Sequence, residues 1–212
     1  IKIGKESDII FINGLWLEAY IANLFIKKNT IRKIVGDPVW EKYYSQYKID
    51  DEFDDFQDKK YNLQIELYKF IRNLSINSID TIIVPSKHLL KFIENTGFSG
   101  NLIQINNGTK KSKSIEKKFD ENIFLIVSRL VRQKNIDLVI NSLENLSRNN
   151  SFNFHLNIIG DGPEYKKIKN LIENLDLSES INLVGSKFGP ELEEYYKGSN
   201  YLLQLSSYEG MP

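Results

Sequence analysis

The sequence has no cysteine, which removes thiol nucleophiles, thiolate-bound zinc and any disulfide framework, and fits a reducing compartment. Histidine is nearly absent too. His88 and His155 are the only two, they share no metal-ligand spacing, and both read as scaffold. An excess of one charge is missing: 28 basic against 28 acidic side chains give a formal net charge of zero. A grip on nucleic acid or an anionic membrane as the chain's main task needs a basic excess to displace counterions. No run of about 18 apolar residues occurs, and Ile1-Lys2-Ile3-Gly4-Lys5 lacks the apolar stretch of a signal peptide. What remains, 41% hydrophobic and 26% charged over 212 residues, describes a globular chain of one long domain or two short ones.

Both ends read as interrupted. The chain opens within a few residues of the apolar run Ile9-Ile10-Phe11-Ile12, and it closes on a loop, 206–212, that follows an apolar strand. In the first half the pattern predicts strands over 8–12 and 31–35 around a helix over 15–27 with Leu17, Ile21, Leu24 and Phe25 as its apolar positions. The acidic stretch 50–58 reads as a solvated loop or helix start, without the glycine and ligand spacing of a calcium loop. A longer helix is expected from Tyr61 through Leu74, then a strand over 81–84, a helix begun by Pro85-Ser86 and running to about Thr96, and a strand over 102–105. The polar, basic stretch 109–118 has no apolar face and reads as a linker. The expected organisation is a first domain, 1–109, a linker, 110–118, and a second domain, 119–212.

The second domain has the cleaner pattern. Strands over 123–127, 154–159, 181–184 and 201–205 alternate with helices over 136–146, 163–175 and 191–197. Each connection is long enough for a crossover, so the expectation is an α/β fold with a parallel sheet covered on both faces. Ligands of such sheets bind outside the carboxyl ends of the strands. After the first strand come Arg129 and Lys134, two cations five positions apart on a loop that feeds a helix. An arginine fork and a lysine point charge suit a phosphate, or they are ordinary surface charges. After the second comes Gly160-Asp161-Gly162-Pro163, where two glycines would let backbone approach a ligand, or simply make a tight turn capped by Asp161 with Pro163 as first helical residue. It lacks the third glycine of a dinucleotide fingerprint. Gly185 follows the third strand. Glu209-Gly210 follows the fourth, where a carboxylate can accept bonds from sugar hydroxyls or cap the next helix.

In this order, Ser128-Arg129-Leu130-Val131-Arg132-Gln133-Lys134-Asn135, Gly160-Asp161-Gly162-Pro163, Val184-Gly185-Ser186 and Ser206-Ser207-Tyr208-Glu209-Gly210-Met211-Pro212 resemble the donor domain of retaining, nucleotide-sugar-dependent glycosyltransferases of the GT-B fold. That large family contains sucrose and mannosyl transferases. The resemblance covers 124–212. It implies two Rossmann-like domains, both incomplete in this chain, with Arg129 and Lys134 on the donor diphosphate and Gly160, Gly162, Gly185 and Gly210 in the donor-site loops. It implies that Glu209 is the first glutamate of a Glu-x7-Glu motif, touching the transferred sugar, with the second beyond Pro212. The first half is similar to the acceptor domain more loosely, through Asn13-Gly14-Leu15, 33–41, Val84-Pro85-Ser86 and Asn107-Gly108. Many relatives carry His-Gly-Asp where this chain has Val35-Gly36-Asp37, which leaves Asp37 as the candidate catalytic or acceptor-orienting group. No Asp-x-Asp motif is present, consistent with a metal-independent reaction that needs no cofactor.

The implied partners are a nucleotide sugar and a sugar, polysaccharide or lipid-linked acceptor, with no nucleic acid. The implied location is the cytoplasm, where the basic stretch 110–118 could touch the inner face of the membrane. Two other readings use the same architecture: a GT-B epimerase or other phosphate-binding enzyme, and a non-catalytic subunit that binds nucleotide sugar or a partner.

Overall fold

A computed structural model describes residues 4, 6–108, 122–150 and 152–211. The expected linker, 110–118, with its basic cluster, lies outside the described residues. The chain divides into two compact units, Ile1–Lys110 with Glu209–Pro212, and Lys111–Tyr208. Among the described residues no helix is long and apolar enough to cross a membrane.

In the first unit the elements run β1 (Ile9–Asn13), α1 (Trp16–Ile26), β2 (Asn29–Lys33), α2 (Pro38–Ser45), α3 (Phe53–Asp58), α4 (Leu63–Asn77), β3 (Thr81–Val84), α5 (Lys87–Asn95) and β4 (Asn101–Gln104). The four strands pair in parallel in the order β1-β2-β3-β4. Local chemistry sets the helix starts. Asn62 and Ser86 occupy the caps of α4 and α5, accepting from Ile65 N at 3.0 Å and Leu89 N at 3.3 Å, which satisfies amides that have no partner within the helix. Leu89, Phe92 and Ile93 then fall on one face of α5 and are buried.

Helix α2 is a departure from the sequence reading, which took 33–41 as a motif rather than a helix. Pro38 stands at its first position and Asp37 caps it, accepting from Val39 N at 2.9 Å. Val39, Trp40, Tyr43 and Tyr44 are all buried. Trp40 stacks on Tyr44 at 4.7 Å between centroids and meets Phe53 edge-on at 5.8 Å. The acidic stretch takes the second of its two expected forms, a helix start, with Phe53 and Phe56 of α3 buried and Asp54, Asp55 and Asp58 exposed. Each such ring removed from water contributes roughly 1.5–3 kcal/mol, enough to order a short acidic helix. In contrast, α1 buries none of its residues, and Ile21, Leu24 and Phe25 are exposed.

Under these rings lies a polar cluster. Asp37 is fully buried, and its Oδ2 pairs with Arg72 and accepts from Gln57 Nε2 at 3.0 Å. Arg72 also donates to Gln57 Oε1 at 3.0 Å. Arg32, 5% exposed, donates to Ser75 Oγ at 3.1 Å. Burial pushes its guanidinium down to about 10, with Asp37 opposing the shift, so it stays charged at neutral pH.

The second unit contains β5 (Ile123–Val127), a 3-10 turn (Arg132–Lys134), α6 (Ile136–Asn150), β6 (His155–Ile159), α7 (Tyr165–Asn174), β7 (Ile181–Gly185), α8 (Gly189–Gly198) and β8 (Tyr201–Leu202). Its four parallel strands lie in the order β7-β6-β5-β8. Ile136, Val139, Ile140 and Leu143 of α6, with Ile168 and Ile172 of α7, share one core with Ile126, Leu156, Ile158 and Ile181 of the strands. The glycine loop differs from expectation at one point. Helix α7 begins at Tyr165, so Pro163 precedes the helix, and Asp161 accepts from Gly162 N at 2.7 Å instead of capping it.

Replacing Arg72 with methionine would leave the Asp37 carboxylate buried without its cation. The expected loss is about 3–5 kcal/mol, read as a lower urea midpoint; a loss under about 1 kcal/mol would show the pair to be dispensable.

Candidate functional site

The strand order of the second sheet reverses once. Strands β5, β6 and β7 are laid down in one direction, and the chain then returns to place β8 on the other side of β5. In open α/β sheets the crevice outside the carboxyl ends of the strands at such a reversal is the place where ligands bind. The segment leaving β5 carries Arg129 and Lys134, and those leaving β6 and β7 carry Gly160, Gly162 and Gly185.

The loop after β5 is fixed from several sides. Leu130 is fully buried in the core, its N–H donates to Asp161 O at 2.9 Å, and its carbonyl accepts from Glu164 N at 3.0 Å. Arg129 beside it is exposed, and Lys134 in the following turn is half-buried. Asn135 adopts the left-handed conformation, φ 50°, that asparagine tolerates better than most residues. Its Nδ2 donates to Leu205 O at 2.8 Å and to Ser207 Oγ at 3.0 Å, and Ser207 N donates back to Gln133 O at 2.9 Å. These bonds tie the β5 loop to the segment after β8 across the point of reversal. Helix α6 starts directly after Asn135, so its amino-terminal dipole lies at the same edge.

The glycines after β6 act on this loop. A Cβ on Gly160 would stand 1.8 Å from Ser128 O, and one on Gly162 would stand 2.4 Å from Leu130 O. Their backbone therefore approaches the chain's own β5 loop, whereas the sequence reading left open whether a ligand or a tight turn called for the two glycines. Gly160 N also donates to Gly185 O at 3.0 Å, which joins the β7 loop to the same edge. Ser128, which the sequence analysis did not assign, carries a buried Oγ without a hydrogen-bond partner among the described residues.

Arg129, Lys134, Gly160, Gly162 and Gly185 thus come together at the carboxyl edge of the second sheet. Glu209 and Gly210 group with the first unit, where Gly210 lies against the Val35 carbonyl. Asp37 belongs to that turn too, but with both oxygens engaged beneath it. Among the described residues no three histidine, aspartate or glutamate side chains come together as a metal site. His155 is exposed, and His88 bonds Asp54 Oδ1 at 2.7 Å. A cavity of about 640 Å³ lies at the opposite edge of the sheet, by His155, Asn157, Asn182, Glu194 and Tyr195. Of its lining groups, Asn182 Nδ2 donates to Asn157 Oδ1 at 3.5 Å and Glu194 accepts from neighbouring Lys197 at 2.7 Å.

Residues 107–212, carrying all of the β5 to β8 loops, match the family of glycosyl transferases group 1. The chain belongs to that family. An uncharacterized glycosyltransferase of Methanocaldococcus jannaschii is 33% identical over 66% of this chain and 37% of the relative. The capsular polysaccharide biosynthesis glycosyltransferase CapH of Staphylococcus aureus is 25% identical over 98% of this chain and 56% of CapH. The chain therefore spans little more than half the length of such relatives at most. Among solved structures, sucrose-phosphate synthase from Thermosynechococcus elongatus superposes with a TM-score of 0.72 at 18% identity, over 98% of this chain and 52% of that one. Anabaena HepE in complex with UDP and glucose superposes at 0.68 and 15% identity, over 97% of this chain and 54% of that one. At these identities the likeness speaks to fold. The fold of this chain is α/β, of the GT-B type, with two parallel four-stranded sheets.

Gly160→Ala is expected to destabilise the second unit by about 1–3 kcal/mol through overpacking against the Ser128 carbonyl. Urea unfolding followed by a probe in that unit checks this, and an unchanged midpoint would contradict the close approach.

Proposed function

We propose that the protein transfers a hexose from a nucleoside diphosphate sugar to an acceptor hydroxyl, with retained anomeric configuration and with protein cations in place of a divalent metal. The observation that carries this reading is the pair of cations, Arg129 and Lys134, on a loop held rigid at the strand-order reversal of the second sheet. As the glycosidic bond breaks, negative charge grows on the leaving diphosphate. Arg129 meets it with a planar fork and Lys134 with a point charge. Fixed donors of this kind are worth on the order of 3–4 kcal/mol each in comparable oxyanion sites. The Ser128 hydroxyl, buried and unpartnered, is a further group available to the same ligand.

Glu209 orients the transferred sugar by accepting from its hydroxyls. Asp37 enters as a positioning residue, since its carboxylate is committed to the α2 cap, Gln57 and Arg72. Uridine is the first base to test, because HepE binds UDP in its complex. CapH, a relative in capsular polysaccharide biosynthesis, makes a polysaccharide end or its lipid-linked precursor the first acceptor class to test.

Calorimetric titration of the full-length protein with UDP, GDP and ADP is expected to give saturable binding to one of them. Arg129→Ala or Lys134→Ala should each weaken that binding by about 1.5–3 kcal/mol, the range of a charge-assisted hydrogen bond. Unchanged affinity in both variants removes the diphosphate assignment. Glu209→Gln should lower turnover more than nucleotide affinity; equal losses would make Glu209 structural.

A further inference from the structure

The segment Glu209-Gly210-Met211 rests on the carboxyl edge of the first sheet. A Cβ on Gly210 would stand 2.0 Å from Val35 O, 3.0 Å from Val35 C and 3.2 Å from Leu89 Cδ1. The nearest of these is a backbone atom that cannot swing aside. On the other flank Asn107 N–H donates to Met211 Sδ at 3.2 Å, and Lys33 Nζ donates to Asn107 Oδ1 at 2.8 Å. The turn that offers the Val35 carbonyl is itself held from both ends. Ile34 N donates to Ile83 O at 2.9 Å. Asp37 accepts from Val39 N at 2.9 Å and from Gln57 Nε2 at 3.0 Å, and it pairs with buried Arg72.

We propose that Arg72 is a positioning residue for Glu209. Its guanidinium and Gln57 clamp Asp37, Asp37 fixes the turn, and the Val35 carbonyl seats Gly210, the chain neighbour of Glu209. The inference rests on the reading of Glu209 as the group that orients the transferred sugar. It also assigns position 35 a task for its backbone. The Val35 atoms nearest a Cβ on Gly210 are the backbone O and C, and the side chain is 50% exposed, so the seat as proposed needs no imidazole at that position.

The test uses the full-length protein with Gly210→Ala and, separately, Arg72→Lys. Hydrogen exchange is measured over 205–211 and 34–38, with UDP affinity and the donor kcat and KM alongside. Gly210→Ala is expected to raise exchange in both segments by about tenfold or more, an opening of the local kind, while exchange in β5, β6 and β7 stays as in the parent. Its kcat should fall by up to about 100-fold, the penalty of displacing a reacting group by about 1 Å, with UDP affinity and donor KM within about twofold. Arg72→Lys, which keeps the charge and loses the planar fork, should move the same readouts less far. Unaltered exchange over 34–38 in Gly210→Ala overturns the seat. Raised exchange with unchanged kcat overturns the link to Glu209. Unchanged exchange over 34–38 and 205–211 in Arg72→Lys overturns the role of Arg72, and if that variant does not fold, Asp37→Asn, which keeps the α2 cap and weakens the pair with Arg72, is held to the same criterion. If the parent turns over no nucleotide sugar, the functional reading fails, while the exchange data still decide whether the seat exists.

Discussion

The approach of Gly160 and Gly162 to the carbonyls of Ser128 and Leu130 is the constraint on which the arrangement of the second unit's loops depends. Any side chain at either glycine would overlap backbone, so the β6 loop can only lie where it does if both positions stay bare. That closeness lets Leu130 exchange two backbone hydrogen bonds with the glycine loop and sink into the core. Arg129 then emerges from a fixed point. With Asn135 and Ser207 bridging to the segment after β8, a loop of otherwise mobile charges becomes part of the scaffold. Fixed donors stabilise developing charge without reorganising at the moment of reaction, and cations on a mobile loop would lose much of that advantage.

The first unit solves a different problem. Its turn after β2 carries no rigid glycine pair, and it is held from below by a buried ion pair between Asp37 and Arg72. A buried pair of this sort adds little net stability, because desolvating both ions offsets most of their attraction. Its use is geometric. The combined demands of Arg72, Gln57 and the α2 cap on one carboxylate leave the turn a single arrangement, and the Phe92 ring, 5.1 Å from the Arg72 guanidinium carbon, shields the pair on one side.

Much of this was legible in the sequence where local signals agreed. Strands β3 and β5 fall at 81–84 and 123–127 as the apolar runs predict, and Ser86 caps α5 as Pro85-Ser86 suggests. The GT-B architecture and the group 1 family followed from the order of the loops. Legibility failed where a residue's role is set by something distant. Asp37 reads as a polar group at a strand end, and only the fold brings Arg72, 35 positions away, beneath it. Gly160 and Gly162 announce that something comes close, but the sequence cannot say whether it is a ligand or the chain itself. Helix α2 was hidden by its own motif, whereas the acidic stretch allowed a helix start without showing that Phe53 and Phe56 would be buried. Ser128 gave no signal, since a lone serine after a strand is ordinary until its burial is seen.

The proposed seat of the donor diphosphate is between Arg129 and Lys134 at the strand-order reversal. Phosphorus NMR of UDP added to the full-length protein and to a variant lacking both cations tests it most directly. The two phosphorus resonances are expected to shift or broaden with the parent protein and to return to their free positions with the variant. Resonances perturbed equally by both proteins would contradict it, because the diphosphate would then be held elsewhere.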